Sequence, residues 1–238
     1  AIAQSYNGLG MSYDGLEKYA MAIGLYEKAR DIWEKAYGRF DVRTANAYNN
    51  LGKSYAMIGE DEKSISNKKI ALEIRRKVLG PMHADVAASC MNLGYSYATM
   101  GQYDVAEEYY AETRKIWSET LPPNHPNLAM VADNTGINYM YQGDYFRALP
   151  WLQEALRIRR LNTGDNSFET GKSWLNLGFY YTRKGQYDKG IQYFKEAANI
   201  FEQLPGADYA RFLTYSNLGV CYSDLEQYEA GLATAEDA

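Results

Sequence analysis

Two cysteines in the whole chain cannot build a disulfide framework, so an intracellular, cytoplasmic setting is the default expectation. No apolar run is long enough to span a bilayer, and no charged, apolar, small-residue signal pattern opens the chain. Membrane insertion is therefore not expected. Basic residues are in deficit: Lys+Arg number 25 against 30 Asp+Glu, a formal net charge of −5. That balance argues against a nucleic-acid binder, which shows a basic excess or a clustered basic face. Strand signals are absent throughout. Tyrosine, in contrast, is abundant at 23, against 7 Phe and 4 Trp. A tyrosine packs its ring while its hydroxyl finds a partner at a half-buried boundary.

The residues that are present repeat. Glycine recurs at Gly10, Gly52, Gly94, Gly136, Gly178 and Gly219, in steps of 42 with one final step of 41. Tyr13, Tyr55, Tyr97, Tyr139, Tyr181 and Tyr222 follow each glycine by three residues. Leu9, Leu51, Leu93, Thr135, Leu177 and Leu218 precede it. Ile32, Ile74, Ile116, Ile158 and Ile200 keep the same phase. A small-residue slot holds Ala22, Ser64, Ala106, Ala148, Gly190 and Gly231. Self-similarity at one period across so many slots is the mark of a solenoid array.

Each unit reads as two helices. The first carries its packed residues at three-and-four spacing, as in Cys90, Leu93, Gly94 and Tyr97. Gly59, Gly101, Gly143 and Gly185 follow, where a turn needs positive φ. Loops such as LGPMHADV and LPPNHPNL stop one unit and start the next. First helices are predicted over 2–16, 42–58, 84–100, 126–142, 168–184 and 208–225, with second helices between them. The repeats run approximately 1–41, 42–83, 84–125, 126–167, 168–208 and a truncated 209–238, in one array. The fold class is all-α, a solenoid of antiparallel helix pairs. The sequence ends inside the second helix of repeat six without a polar cap, so further chain, or packing against another copy, is expected.

The slots Tyr/Trp-x-x-Leu-Gly-x-x-Tyr, Gly-x-Tyr and Tyr/Phe-x-x-Ala resemble the tetratricopeptide repeat (TPR). Its usual unit is about 34 residues. The longer unit, with LGPMHADVA (Leu79–Ala87) and LPPNHPNLA (Leu121–Ala129) between repeats, is similar to kinesin light chain repeats. That resemblance implies an α-α superhelix whose first helices line a concave groove for a peptide of a partner protein. It implies no cofactor and no catalysis.

Chemistry is otherwise sparse. His83 and His125 are one repeat apart in the same loop slot, and read as helix caps rather than a metal site. Cys90 shares its slot with Tyr6, Tyr48, Trp174 and Tyr215 and reads as core. Cys221 shares a slot with Ser12, Ser54, Ser96, Asn138 and Tyr180 and reads as a surface or boundary thiol. Arg75, Arg76, Lys77 and Arg157, Arg159, Arg160 read as basic outer patches that suit the helix dipole and solubility. No catalytic or metal-binding constellation emerges.

One slot remains conspicuous. It holds Gly8, then Asn50, Asn92, Asn134, Asn176 and Asn217. At about 100° per residue, Asn92 lies roughly 200° from Cys90, opposite the packed face. Asparagine is a weak helix former, and a merely solvated face would accept Glu, Lys or Gln. An amide both donates and accepts, which suits an extended peptide backbone. The TPR resemblance points the same way. Two other readings stand beside it: inheritance by duplication, and a bond to the neighbouring repeat. The groove neighbours expected to set specificity are Asn46, Asn49 and Lys53, Met91 and Tyr95, Met130, Asp133, Ile137 and Tyr141, then Lys172, Phe179 and Arg183. The expected function is a non-catalytic interaction scaffold for a protein or peptide partner, with kinesin-light-chain-like cargo adaptation as one form. A self-assembling array through uncapped ends and a peptide-sensing module of a larger protein are the alternatives.

Overall fold

The structure, a computed structural model, describes residues 1–226. The second helix of repeat six, with Gly231, lies outside the described residues. Eleven helices and no strand occur among the described residues. They are α1 (Ile2–Gly15), α2 (Tyr19–Tyr37), α3 (Val42–Met57), α4 (Asp61–Leu79), α5 (Ala84–Thr99) and α6 (Tyr103–Thr120). Then follow α7 (Pro126–Tyr141), α8 (Tyr145–Thr163), α9 (Phe168–Arg183), α10 (Tyr187–Glu202) and α11 (Asp208–Asp224). The odd-numbered helices are the predicted first helices. Each ends one residue earlier than predicted, because Leu16, Ile58, Met100, Gln142, Lys184 and Leu225 are C-caps. The chain divides into two compact units, residues 1–121 and 122–238. Within them, α1, α3, α5, α7 and α9 each pack against the second helix that follows, and short connections make such neighbours antiparallel.

Three local devices set this geometry. The turn inside each pair needs a left-handed residue, and Gly59, Gly101, Gly143 and Gly185 have φ of 76°, 73°, 79° and 74°. Glu17 and Glu226 fill the same turn position at φ 58°, a region where a side chain is strained. The repeat glycine lets the paired helix approach. A Cβ on Gly94 would lie 2.6 Å from the Tyr110 ring, and one on Gly178 would lie 2.4 Å from that of Phe194.

The starts of α3, α5, α7, α8 and α9 are capped by a side chain. Asp41 accepts from the Arg43 N–H, and Ser167 from that of Thr170. His83 and His125 use Nδ1 to accept from the Asp85 and Asn127 N–H groups at 3.1 Å. Both histidines are therefore caps, as their shared slot predicts. Asparagine, serine and aspartate are the common capping residues. An imidazole nitrogen with a lone pair meets the same requirement.

The core of each unit lies between its helices. In the first unit Ala22, Ile23, Tyr26 and Leu51 form one cluster, and Ala45, Tyr48, Ala71 and Ile74 another. In the second, Leu152, Leu177, Tyr180 and Phe194 are among the fully buried residues. Cys90 is buried as expected, and burial pushes its thiol up to about 12. Cys221 corrects its reading: it too is fully buried, with Sγ 3.3 Å from Thr182 Oγ1. Its slot faces the preceding repeat rather than solvent. Ser54 donates to Asp14, Ser96 accepts from Lys68, and Tyr180 donates to the Tyr145 carbonyl from that same slot.

Candidate functional site

Each first helix exposes one stripe with residues at i, i+4, i+7 and i+11, the positions that share a face. In the first unit the stripe holds Asn46, Asn50, Lys53 and Met57 on α3, and Ala88, Asn92, Tyr95 and Thr99 on α5. In the second it holds Met130, Asn134, Ile137 and Tyr141 on α7, then Lys172, Asn176, Phe179 and Arg183 on α9. On α11 it continues as Leu213, Asn217, Val220 and Asp224. Every one of these is half-buried or exposed. The sequence-predicted residues fall on this stripe with three exceptions, Asn49, Met91 and Asp133, which share one slot and are each more than nine-tenths buried. These residues precede the repeated asparagine by one position, which turns them away from the stripe; Asn49 and Asp133 there meet the asparagine of the next repeat. Met57, Leu213 and Val220 belong to the stripe but were not singled out. Their spacing from the asparagine carried the signal.

The asparagine amides are not idle. Asn50 Nδ2 donates to Asn7 Oδ1 at 3.0 Å, and Asn92 Nδ2 to Asn49 Oδ1 at 3.1 Å. Asn176 Nδ2 reaches both Asp133 oxygens at 2.8 and 2.9 Å. Each of these bonds spans 43 residues, one repeat plus one. Asn217 has Leu175 in the equivalent slot, 42 residues back because the last repeat step is one residue shorter. The Leu175 side chain can accept nothing, and Asn217 donates instead to its own helix at Leu213 O, 2.6 Å away. Asn134, with Met91 at the corresponding position in sequence, donates to Met130 O at 2.9 Å. An amide that donates to a carbonyl or carboxylate has its nitrogen fixed in place. Among the described residues, all five side-chain carbonyl oxygens accept no hydrogen bond. The stripe thus carries two unengaged acceptors in the first unit and three in the second.

Charge behind the stripe is arranged differently from the sequence reading. Arg75 and Arg159 are not outer basic residues; each is only 8 % exposed. Arg75 Nη1 donates to Ser89 Oγ at 2.7 Å and Nη2 to Asn46 Oδ1 at 2.8 Å. Arg159 Nη1 donates to Ser173 Oγ at 2.7 Å, while Nη2 meets Asp133 Oδ2 at 3.0 Å. Their slot runs Trp33, Arg75, Trp117, Arg159 and Phe201. Arg75 and Arg159 use this slot to reach across the seam to the first helix of the next repeat. Arg76, Lys77, Arg157 and Arg160 are exposed, as predicted.

Lys68 is also enclosed, where other repeats place Tyr26, Tyr110, Leu152 and Phe194. Its Nζ lies 2.6 Å from Ser96 Oγ, and burial, with Lys53 nearby, lowers its pKa to about 8. Among the described residues no group of three His, Cys, Asp or Glu could hold a metal, and no helix is long and apolar enough to cross a membrane.

An exposed stripe on repeated helix pairs defines a class, the helical repeat scaffold. The sequence pattern of the tetratricopeptide repeat family matches residues 1–77, 84–160 and 169–238, and the chain belongs to that family. Its fold is in general that of a protein–protein interaction scaffold. No curated protein matches the chain significantly. Among solved structures the chain is similar to BtubC (BKLC) from P. vanneervenii, at 21 % identity over 93 % of this chain and 89 % of that one, with a TM-score of 0.78. A Podosopora anserina kinesin light chain-like structure with nearly identical TPR-like repeats is 20 % identical over 83 % of this chain and 93 % of that one, TM-score 0.73. A Rap protein complexed with competence and sporulation factor is 16 % identical over 99 % of this chain and 62 % of that one, TM-score 0.68. At these identities the likeness establishes the fold.

Proposed function

We propose that this array binds an extended peptide segment of a partner protein along the exposed stripes of its first helices. The observation that carries the reading is the set of unengaged asparagine carbonyl oxygens. Each amide is held by one N–H, so its oxygen is oriented before a ligand arrives, and ordering it costs little on binding. An extended peptide offers N–H groups at regular intervals whatever its side chains. In the second unit the asparagine row runs beside an apolar row of Ile137, Phe179 and Val220, which would seat the peptide's apolar side chains. The first unit offers Lys53 and Tyr95 in that row instead, so it would favour a more polar stretch.

Adaptor function of the kinesin light chain kind is one form this binding would take. The Rap likeness supports a sensing form equally, so the partner's identity decides between them. The test uses Asn134→Ala and Asn217→Ala, whose amides bond only their own helices. A double variant is expected to lose about tenfold or more in affinity for the partner peptide in a calorimetric titration, with unchanged thermal stability. Unchanged affinity would sink the reading. Concentration-dependent light scattering with no peptide bound would instead point to self-assembly.

A further inference from the structure

One repeat breaks the pattern on a surface that the groove does not use. The second position of α8 is Phe146, where the other second helices carry Ala20, Glu62, Asp104 and Asp188. One turn later stands Pro150, where they carry Gly24, Ser66, Glu108 and Gln192. Both substitutions are unfavourable for the fold alone. Phe146 is 91 % exposed, the most exposed large apolar side chain among the described residues. Pro150 lies inside the helix and has no N–H, so the Phe146 carbonyl has no donor four residues on. The two costs fall on adjacent turns of one face and border one depression of roughly 730 Å³. Leu149, Tyr145, Tyr180 and Lys184 also line it, with polar residues of the preceding turn and Gln153 at its margin.

The charges around this depression are unequal. Asp144 is neutralised by Arg147 at 2.6 Å and also caps α8 through the Arg147 N–H. Lys184 lies 6.0 Å from the Tyr180 ring centroid and has no carboxylate within 4 Å among the described residues. The depression therefore offers an apolar wall, one unpaired cation and one backbone acceptor without a helical donor. We propose that it is a second docking site, taking a partner peptide that presents an apolar side chain beside a carboxylate. The apolar side chain lies against Phe146, Leu149 and Pro150. The carboxylate pairs with Lys184, and a peptide N–H reaches the Phe146 carbonyl. The site uses the α8 face and the turn before it, so it works independently of the first-helix stripe.

Random peptides displayed on phage and panned against the whole chain test this directly. Enrichment of sequences with an apolar residue next to Asp or Glu is expected. Their affinity, read by fluorescence polarisation, should fall about tenfold in Phe146→Asp and severalfold in Lys184→Glu, yet persist in Asn134→Ala. Phe146→Asp installs the residue that two other repeats use, so a melt matching the parent checks its fold. Pro150→Gln, the residue at position 192, should raise the melting temperature and weaken binding together. No enrichment, binding intact in both Phe146→Asp and Pro150→Gln, or a Phe146-dependent dimer without peptide each overturns the proposal.

Discussion

Arg75 and Arg159 occupy one slot two repeats apart, and each crosses a seam to a serine, Ser89 or Ser173. They differ in what neutralises them. Arg159 meets the buried carboxylate of Asp133, which also accepts from Asn176. Arg75 has no carboxylate within ion-pair distance, only the weaker pull of Asp85: Asn49 stands where the second unit has Asp133, and the guanidinium turns to Asn46. Its Nε is buried without a partner, and burial lowers its pKa. One seam is an ion pair, and the other is a desolvated cation held by dipoles. A repeat position thus fixes where a side chain reaches, while the electrostatics depend on the residue that happens to await it.

The largest expected effect comes from breaking the ionic seam. Arg159→Met leaves Asp133 buried and unpaired, and should destabilise the second unit by about 3–5 kcal/mol. Hydrogen exchange resolved by unit would register the loss in residues 122–226. Arg75→Met strands no charge, and should shift the first unit by less than about 1 kcal/mol in the same experiment. Equal losses in both units would erase the distinction.

Lys68 sharpens the contrast, because the second unit fills its slots with Leu152 and Phe194. A folded-state pKa of about 8, below the ordinary lysine value of 10.5, means the native chain releases this proton first. The first unit should therefore gain stability from about pH 8 to 10 as the buried charge disappears. Lys68→Leu should stabilise that unit by about 2–3 kcal/mol at neutral pH and abolish that rise. Urea titrations across the pH range measure both.

Asn176→Ala removes two bonds to a buried carboxylate and should cost about 1–3 kcal/mol. Asn217→Ala removes one bond to its own helix and should cost under about 0.5 kcal/mol. Urea midpoints separate these two uses of one slot. Glu17→Gly acts in the opposite direction: it relieves a positive φ and should add about 1 kcal/mol, seen as a rise in melting temperature.

The helix pairs were legible because their determinants are local and periodic. Gly94 and Tyr97 recur with the period, Gly101 terminates a helix wherever it appears, and His83 caps because only its own backbone is involved. The stripe was legible too, since angular position on a helix follows from spacing alone. Asn49, Met91 and Asp133 were misplaced because they sit one residue from the stripe. A shift of about 100° decides between exposed stripe and buried side, and only the packing of the folded helices shows which side is covered. Cys221 was misread for the same reason: small polar slot-mates look like surface until an adjoining helix closes over them.

The sequence by itself determined the repeat, the helix boundaries to within a residue and the row of asparagines, because each depends on interactions within a few turns of chain. Only the tertiary structure decided that three of those amides span repeats while two fold back. It also decided that Arg75 and Arg159 are enclosed rather than solvated, and that Phe146 stands clear of the core. Those outcomes rest on which side chain lies one repeat away in space, and a period cannot supply that.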